Sequence, residues 1–533
     1  MKANTYILFT CFFLLLNTSK IFSQIKIGRE SPEYDRVFQM AYSGNFDEVV
    51  GTDSKALYVE HWEQVGRMNE TFKRVFRKYS RSDYSLVWSK EVAAEIIPAY
   101  DSHMNYRYAT HQHSLQRRFV AHGKLFLIQS LDDKNSFNRS VVVSTLDPDG
   151  NVSPTVELLK LEMKSIRGPN PSTFTFACTL SPDSNYAVIS ASLYSSREIT
   201  PTKSTSIKIA VVDLRTLSTI WKMDLPDEYN DMPTLTNEFK IDNQGNVAFV
   251  TCSLPNRKEG AGKMSIGFIG TDKNPHFKEL NFPNSLEYGS WKLSIRPDGC
   301  YALAGFFLDP AKRKDRKFKN SGVFCAVIGK DKNTLISSST EYFPEQVLDK
   351  LDFKNSGSDK KKIAMSFRSI RLEAMGNDLY LVGYNSTIFE GNYGIQVWDN
   401  DIVLTKITST GKVEWMRTLP NRSIPATPDV CDFDLFTNGK DKLFLLYTCG
   451  PKTNNFTPGH YDATDIKAIN SPGGNRVPVY VSVSSAGEVK GDFLMGNSEF
   501  TMRVPGGWQL GPSKALMIFS TDLKEKFCEF NLE

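Results

Sequence analysis

The sequence predicts an all-β chain, specifically a β-propeller of eight four-stranded antiparallel blades, or seven if the first unit is misread, with the ring closed by the N-terminal segment. Three observations lead there. A turn followed by a dense apolar strand recurs along the whole chain. A second hairpin with alternating apolar positions follows most copies. Apolar residues make up 40% of the chain, enough to bury a large core and to argue against disorder.

The recurring unit reads GTDSKALYV (51–59), AHGKLFLIQ (121–129), SPDSNYAVIS (181–190), DNQGNVAFV (242–250), RPDGCYALAG (296–305), AMGNDLYLVG (374–383), TNGKDKLFLLY (437–447) and GPSKALMIF (511–519). Internal repeats of this length are the mark of solenoids and propellers. The second element reads VVVSTLDPDGNV (141–152), IAVVDLRTLSTIW (209–221), IGFIGTDKNPHF (266–277), LTKITSTGKVEW (404–415) and VYVSVSSAGEV (479–489). Glycine at the hairpin tips accepts positive φ without penalty, which suits tight turns. Each unit therefore has strands A, B, C and D. The B strand is a continuous apolar run, as at 443–447, so both faces of its sheet are buried. A lone four-stranded sheet cannot achieve that, whereas sheets repeated about an axis can.

The last unit holds only three strands, in 507–511, 514–522 and 524–533. An open edge there would invite aggregation. The segment 25–43, which contains VFQMAYS (37–43), is expected to supply the fourth strand.

Residues 1–24 read as a secretory signal peptide: Lys2 precedes the apolar run Tyr6 to Leu16, and cleavage is expected near Ser23 or Gln24. The run is too short to span a bilayer, which takes about 20 residues. Residues 25–533 are then expected to form a single propeller domain, secreted or periplasmic. The net charge of +4 falls to +2 without Lys2 and Lys20, which gives no field for nucleic acid or an anionic membrane. Seven scattered cysteines remain after the leader, with no CxxC pair. Most sit inside apolar strands as small hydrophobes. Cys431 and Cys449 flank Lys440 symmetrically and are candidates for a cross-strand disulfide.

In such blades the A–B and C–D turns share one end and the B–C and D–A connections share the other. The first set is short. The second is long: 191–206, 253–264, 307–321, 384–402 and 449–476 between B and C, and 93–117 and 343–368 between D and A. Long loops on a rigid scaffold are where function concentrates, so this end is the expected binding face. Its candidate ligand-binding residues are Tyr106, Tyr108, His111 and His113 in one loop, Phe389, Tyr393 and Trp398 in another, and His460 and Tyr461 in a third. Aromatic rings suit flat sugar or peptide faces. The histidines lack a recurring ligand spacing, and no metal site is expected. A basic stretch, 311–320, and Lys360 to Lys362 fall on the same end and read as solvated surface.

No GxSxG, HExxH, P-loop or GxGxxG in strand–helix context is present. Asp147, Asp149 and Asn151 alternate as calcium ligands do, but their spacing departs from an EF-hand loop, and turn geometry explains them. SPDSNYAVIS (181–190) and RPDGCYALAG (296–305) resemble the Pro-Asp turn repeats of TolB-type and WD40-like bacterial propellers. STGKVEWMRTL (409–419), with Thr410, Gly411, Lys412 and Trp415, resembles one repeat of the quinoprotein propellers. That resemblance implies a quinone; the other units lack the tryptophan at that spacing, and no cofactor is expected. The expected function is an extracytoplasmic, non-catalytic binding or scaffold propeller whose partner is a glycan, a peptide or an envelope protein. The alternative is a propeller-type enzyme, a glycosidase, lyase or quinoprotein, with an axial site.

Overall fold

A computed structural model describes residues 25–35, 48–65, 71–92, 116–133, 138–162, 173–194, 204–226, 239–252, 263–283, 285–312, 322–351, 366–391, 394–419, 433–449, 477–493, 501–502, 507–521 and 524–533. They are almost entirely strand, and the chain is an eight-bladed β-propeller. Seven antiparallel sheets hold four strands each in sequence order, at 48–92, 116–162, 173–224, 240–279, 287–342, 366–419 and 433–493. These are blades 1 to 7. Blade 8 is built from 501–532 and the N-terminal strands. Blades 1 to 6 belong to one compact unit and blades 7 and 8 to a second. The one short α-helix among the described residues, Glu345–Leu351, lies between blades 5 and 6.

Burial grades across each blade. The B strand Val247–Cys252 and the C strand Gly322–Ile328 are buried throughout, whereas the D strands Leu86–Val92 and Ser218–Asp224 are mostly exposed. In the larger unit, consecutive blades approach each other through their A strands, except that blades 2 and 3 meet through the D strand of one and the C strand of the other. The D strands are the outer rim.

Blade 5 shows why a continuous apolar strand needs this arrangement. Side chains alternate across a strand. Tyr301, Leu303 and Phe307 join the core shared with blade 4, while Ala302, Ala304 and Phe306 join the core shared with blade 6. Blade 3 divides the same way: Ile189 packs toward blade 2 and Val188 toward blade 4. Each large side chain so buried contributes about 1.5–3 kcal/mol.

The hairpin tips share one geometry. The N–H of Gly150, Gly245, Gly299, Gly411 and Gly487 donates to the carbonyl three residues back, at Asp147, Asp242, Arg296, Thr408 and Ser484. These glycines have φ between 78° and 82°. This is a type I turn followed by a left-handed residue, which matches the twist of the strands. The turn's first side chain locks it. Asp147 Oδ1 accepts from the N–H of Asp149 and Asn151, and Asp242 Oδ1 from Gln244 and Asn246. The Asn151 amide occupies the second oxygen of Asp147, so the 147–151 segment is a self-satisfied turn. Among the described residues no group of acidic, histidine or cysteine side chains is arranged to hold a metal.

Blade 8 is closed by the N-terminus, but through an earlier segment than VFQMAYS. The strand Ile25–Glu30 pairs antiparallel with Lys524–Leu532, with Ile25 opposite Leu532. Arg29 bonds Glu529 at 2.6 Å, and Lys526 bonds Glu30 at 2.9 Å. The Ser31 hydroxyl accepts the Phe527 N–H at 2.9 Å. Residues 37–43 lie outside the described set.

Burial pushes the thiols of Cys178, Cys325 and Cys528 up to about 12 and that of Cys252 to about 11, in keeping with their role as small hydrophobes. Cys449 ends the strand Lys442–Cys449, while Cys431 lies outside the described residues.

Candidate functional site

At the A–B/C–D end of the larger unit, every blade is tied to the next. Tyr58 OH donates to the Gly123 carbonyl at 3.1 Å, linking blade 1 to blade 2. Lys78 Nζ and Trp88 Nε1 both donate to the Pro148 carbonyl, at 2.8 and 2.9 Å. His122 Nε2 meets the Ser184 carbonyl at 3.0 Å, and the Asp183 N–H donates to Asn243 Oδ1 at 3.0 Å. Tyr301 OH donates to Asp242 Oδ2 at 3.1 Å, from blade 5 back to blade 4. The Arg296 guanidinium reaches the Ser409 carbonyl of blade 6, and Ser339 Oγ donates to the Gly411 carbonyl at 2.6 Å. In the smaller unit, Gln509 does the same work, accepting from the Thr437 N–H and donating to its carbonyl.

These ties depend on close approach. A Cβ at Gly150 would lie 3.2 Å from Trp88, and one at Gly411 would strike Ser337. Trp88 and Ser337 occupy equivalent places, the first pair past the bulge between the C and D strands. Trp415 stands there in blade 6 and Trp221 in blade 3. The tryptophan position therefore recurs in three blades. The sequence concealed it because Trp88 and Trp221 lack a Thr-Gly-Lys turn before them.

Between these turns the larger unit opens a cavity of about 690 Å³. Its lining comes from the turns of blades 3, 4 and 5 and the A strand of blade 6, with Pro182, Asp242, Asn243, Gln244, Arg296, Lys330, Lys332 and Glu373 contributing. Asp242 is central. Burial alone would raise its carboxyl; hydrogen bonds from Asn246 and Gln244 and the Lys332 ammonium at 3.4 Å outweigh burial and hold it below the usual range. Arg296 is buried, its guanidinium fixed between Asp298 and Ser409.

A second polar cluster lies toward the opposite end of blades 1 and 2. Glu60, fully buried on strand Ala56–Val65, accepts Arg74 at 2.6 Å. Its other oxygen meets Arg118, which also bonds Glu48. Arg74 lies over the Phe76 ring, 4.9 Å from its centroid. Desolvation lowers the Arg74 pKa against the pull of Glu60; for Arg118 the two carboxylates overcome desolvation and raise it. Both guanidinium groups end on carboxylates, which makes the cluster a strut between blades.

Of the sequence-predicted ligand residues, Phe389 and Trp398 fall in described strands. The expected loop 384–402 is a continuous hairpin of Asp378–Gly391 and Gly394–Ile407. Phe389 pairs with Gln396 and Trp398 with Thr387 in the backbone register of the arm. Tyr106, Tyr108, His111, His113, Tyr393, His460 and Tyr461 lie outside the described residues, as do Lys360 to Lys362 and most of 311–320. The 690 Å³ cavity was missed because its lining is assembled from four blades, each contributing an ordinary polar turn or strand end.

Fold and site define an eight-bladed propeller with a stapled turn end. No protein-family model and no curated protein matches the sequence. Among solved structures, a protein of unknown function from Bacteroides caccae is similar at 10% identity and a TM-score of 0.28, over 68% of this chain and 94% of that one. The β-propeller domain of the Trilobed protease from Pyrococcus furiosus, which has an open velcro topology, is similar at 9% identity and a TM-score of 0.32, over 70% of this chain and 92% of that one. A puromycin-hydrolyzing peptidase from Mycobacterium tuberculosis is similar at 10% identity and a TM-score of 0.37, over 89% of this chain and 57% of that one.

Proposed function

We propose that this is an exported, non-catalytic binding or scaffold propeller that engages a glycan, a peptide or an envelope protein on its B–C/D–A end. The observation that carries the reading is the difference in how the two ends are built. One end is short turns locked by their own side chains and by the next blade. The other carries the long connections, and in blade 6 a 14-residue B strand and a 14-residue C strand extend as an arm toward it. Past Ser386 the B strand has no A-strand partner among the described residues, and before Ile402 the C strand has no D-strand partner. The arm carries Phe389 and Trp398 on its two paired strands, and aromatic residues favour sugar and peptide surfaces.

The apolar leader, 6–16, supports export, to a secreted or periplasmic location. No helix among the described residues is long and apolar enough to cross a membrane. A second reading, a propeller-type enzyme, draws on Glu48: desolvation and the Glu60 charge raise its carboxyl against the pull of Arg118, although its side chain is still 55% exposed. Raised carboxyls gather at catalytic sites, but this one serves an ion-paired strut.

The test is array binding. The chain 25–533 is screened on glycan and peptide arrays, beside a variant in which 386–400 is replaced by Asn-Gly. The expected result is a specific hit that the shortened variant loses while its unfolding midpoint stays unchanged. Full retention of binding by that variant, or turnover of an array glycan by the parent that Glu48→Gln abolishes, overturns it.

A further inference from the structure

The cavity at the turn end is distinct from the proposed binding face, and most of its unspent polar groups are donors. Asp242 is already saturated. Its Oδ1 accepts two backbone N–H groups at 2.9 Å, and its Oδ2 accepts the Asn246 amide at 2.8 Å and Tyr301 OH at 3.1 Å. Glu373 lies 3.8 Å from the Arg371 guanidinium. The carboxamides are polarised by their neighbours. Asn243 Oδ1 accepts the Asp183 N–H at 3.0 Å, and Gln244 Oε1 accepts the Asn246 amide at 3.4 Å. What remains unspent on both side chains is the NH2 group, a donor. Lys330 is exposed at the same rim and has no acidic partner among the described residues. Lys332 lies 3.4 Å from Asp242 and has further N–H capacity.

We propose that this cavity binds a small ligand through a carboxylate or phosphate group, held by Lys330, Lys332 and the amide groups of Asn243 and Gln244. The volume of about 690 Å³ lies inside the usual range for small-molecule sites, roughly 300–1,000 Å³. Pro182, Ile295 and Leu372 supply apolar wall beside the donors. The donors sit on turns fixed by Asp242, Asp331 and the inter-blade bonds, so little ordering is required on binding. The Arg296 guanidinium stays with Ser409 and Asp298.

The experiment is calorimetric titration of the chain 25–533 with inorganic phosphate, with succinate and with choline as the cationic control. The expected result is saturable binding of at least one anion, weakened by added salt as an ion contact requires, and none of choline. Phosphate alone or succinate alone identifies the favoured head group. Lys330→Glu is expected to weaken binding at least tenfold, and Gln244→Leu severalfold, with unfolding midpoints unchanged for both. Absence of saturable anion binding at millimolar concentration overturns the proposal. So does unaltered affinity in Lys330→Glu.

Discussion

The two ends of the larger unit are held by different physics. At the turn end, neighbouring blades exchange hydrogen bonds between side chains and backbone carbonyls, as from Trp88 to Pro148 and from Arg296 to Ser409. The groups are small, the spacing is fixed by glycine, and little chain is left over. Toward the other end the tie between blades 1 and 2 is a buried charge cluster, Glu60 with Arg74 and Arg118, and the connections beyond it are long. An end whose turns are committed to holding neighbours can vary little. An end whose loops lie outside that frame can change its chemistry without loss of the fold. That difference is why binding is proposed for the loop end, and why the cavity at the turn end is preorganised.

The largest effect tests closure of the smaller unit. Removing residues 25–35 takes away the strand bonded to Lys524–Leu532 together with the Arg29–Glu529 and Lys526–Glu30 pairs. An exposed edge and lost pairing are expected to abolish a cooperative unfolding transition for blades 7 and 8 and to cause aggregation. Melting like the parent would detach the closure from stability.

Next comes the charge cluster. Glu60→Gln leaves the buried Arg74 and the partly buried Arg118 without their shared carboxylate, and breaking a buried pair costs about 3–5 kcal/mol. Denaturant titration should show a loss of that size. A change under about 0.5 kcal/mol, ordinary for a surface site, would mean that the cluster is no strut.

A smaller effect is expected at Asp242. Asp242→Ala removes the acceptor of Tyr301 OH and of the turn's own amides, and an unsatisfied buried donor costs about 1–3 kcal/mol. The carboxyl is held below its ordinary value, so the folded state favours the charged form. Its stabilisation is therefore complete above the unfolded pKa, near 3.9, and is lost as pH falls through the lower folded pKa. The gap between parent and Asp242→Asn should narrow in acid. A gap that widens in acid would contradict the assignment.

The smallest effect is at Gly150. Its φ is 81°, and Trp88 stands only 3.2 Å from where an added Cβ would sit, so Gly150→Ala should cost about 1–2 kcal/mol. Gly376, also at positive φ but with open space, should cost less on the same substitution. Equal losses would mean that backbone strain alone, not the fit against Trp88, sets the cost.

The eight B strands were legible because burial on both faces demands unbroken apolar runs, as in Leu443 to Leu446. The hairpin tips were legible because glycine marks the left-handed position. The C strand Thr71–Ser80 was not, since Lys73, Arg74, Arg77 and Lys78 hide its period. Nor were the inter-blade ties, because Arg296 and Ser409 are 113 residues apart and nothing local marks the pair. The same distance in sequence hid the cavity lining. The closing segment was legible only as 25–43, because nothing local marks its register, and pairing with Lys524–Leu532 places its strand at 25–30.

Hydrogen exchange at the turn glycines tests the division most directly. The amides of Gly150, Gly245, Gly299 and Gly411 are each bonded within a turn that is itself tied to a neighbouring blade. They are expected to exchange slowly, with opening free energies near those of the adjacent B strands. Exchange at the rate of free surface loops would contradict this, and would leave the turn end no more a frame than the loops it is contrasted with.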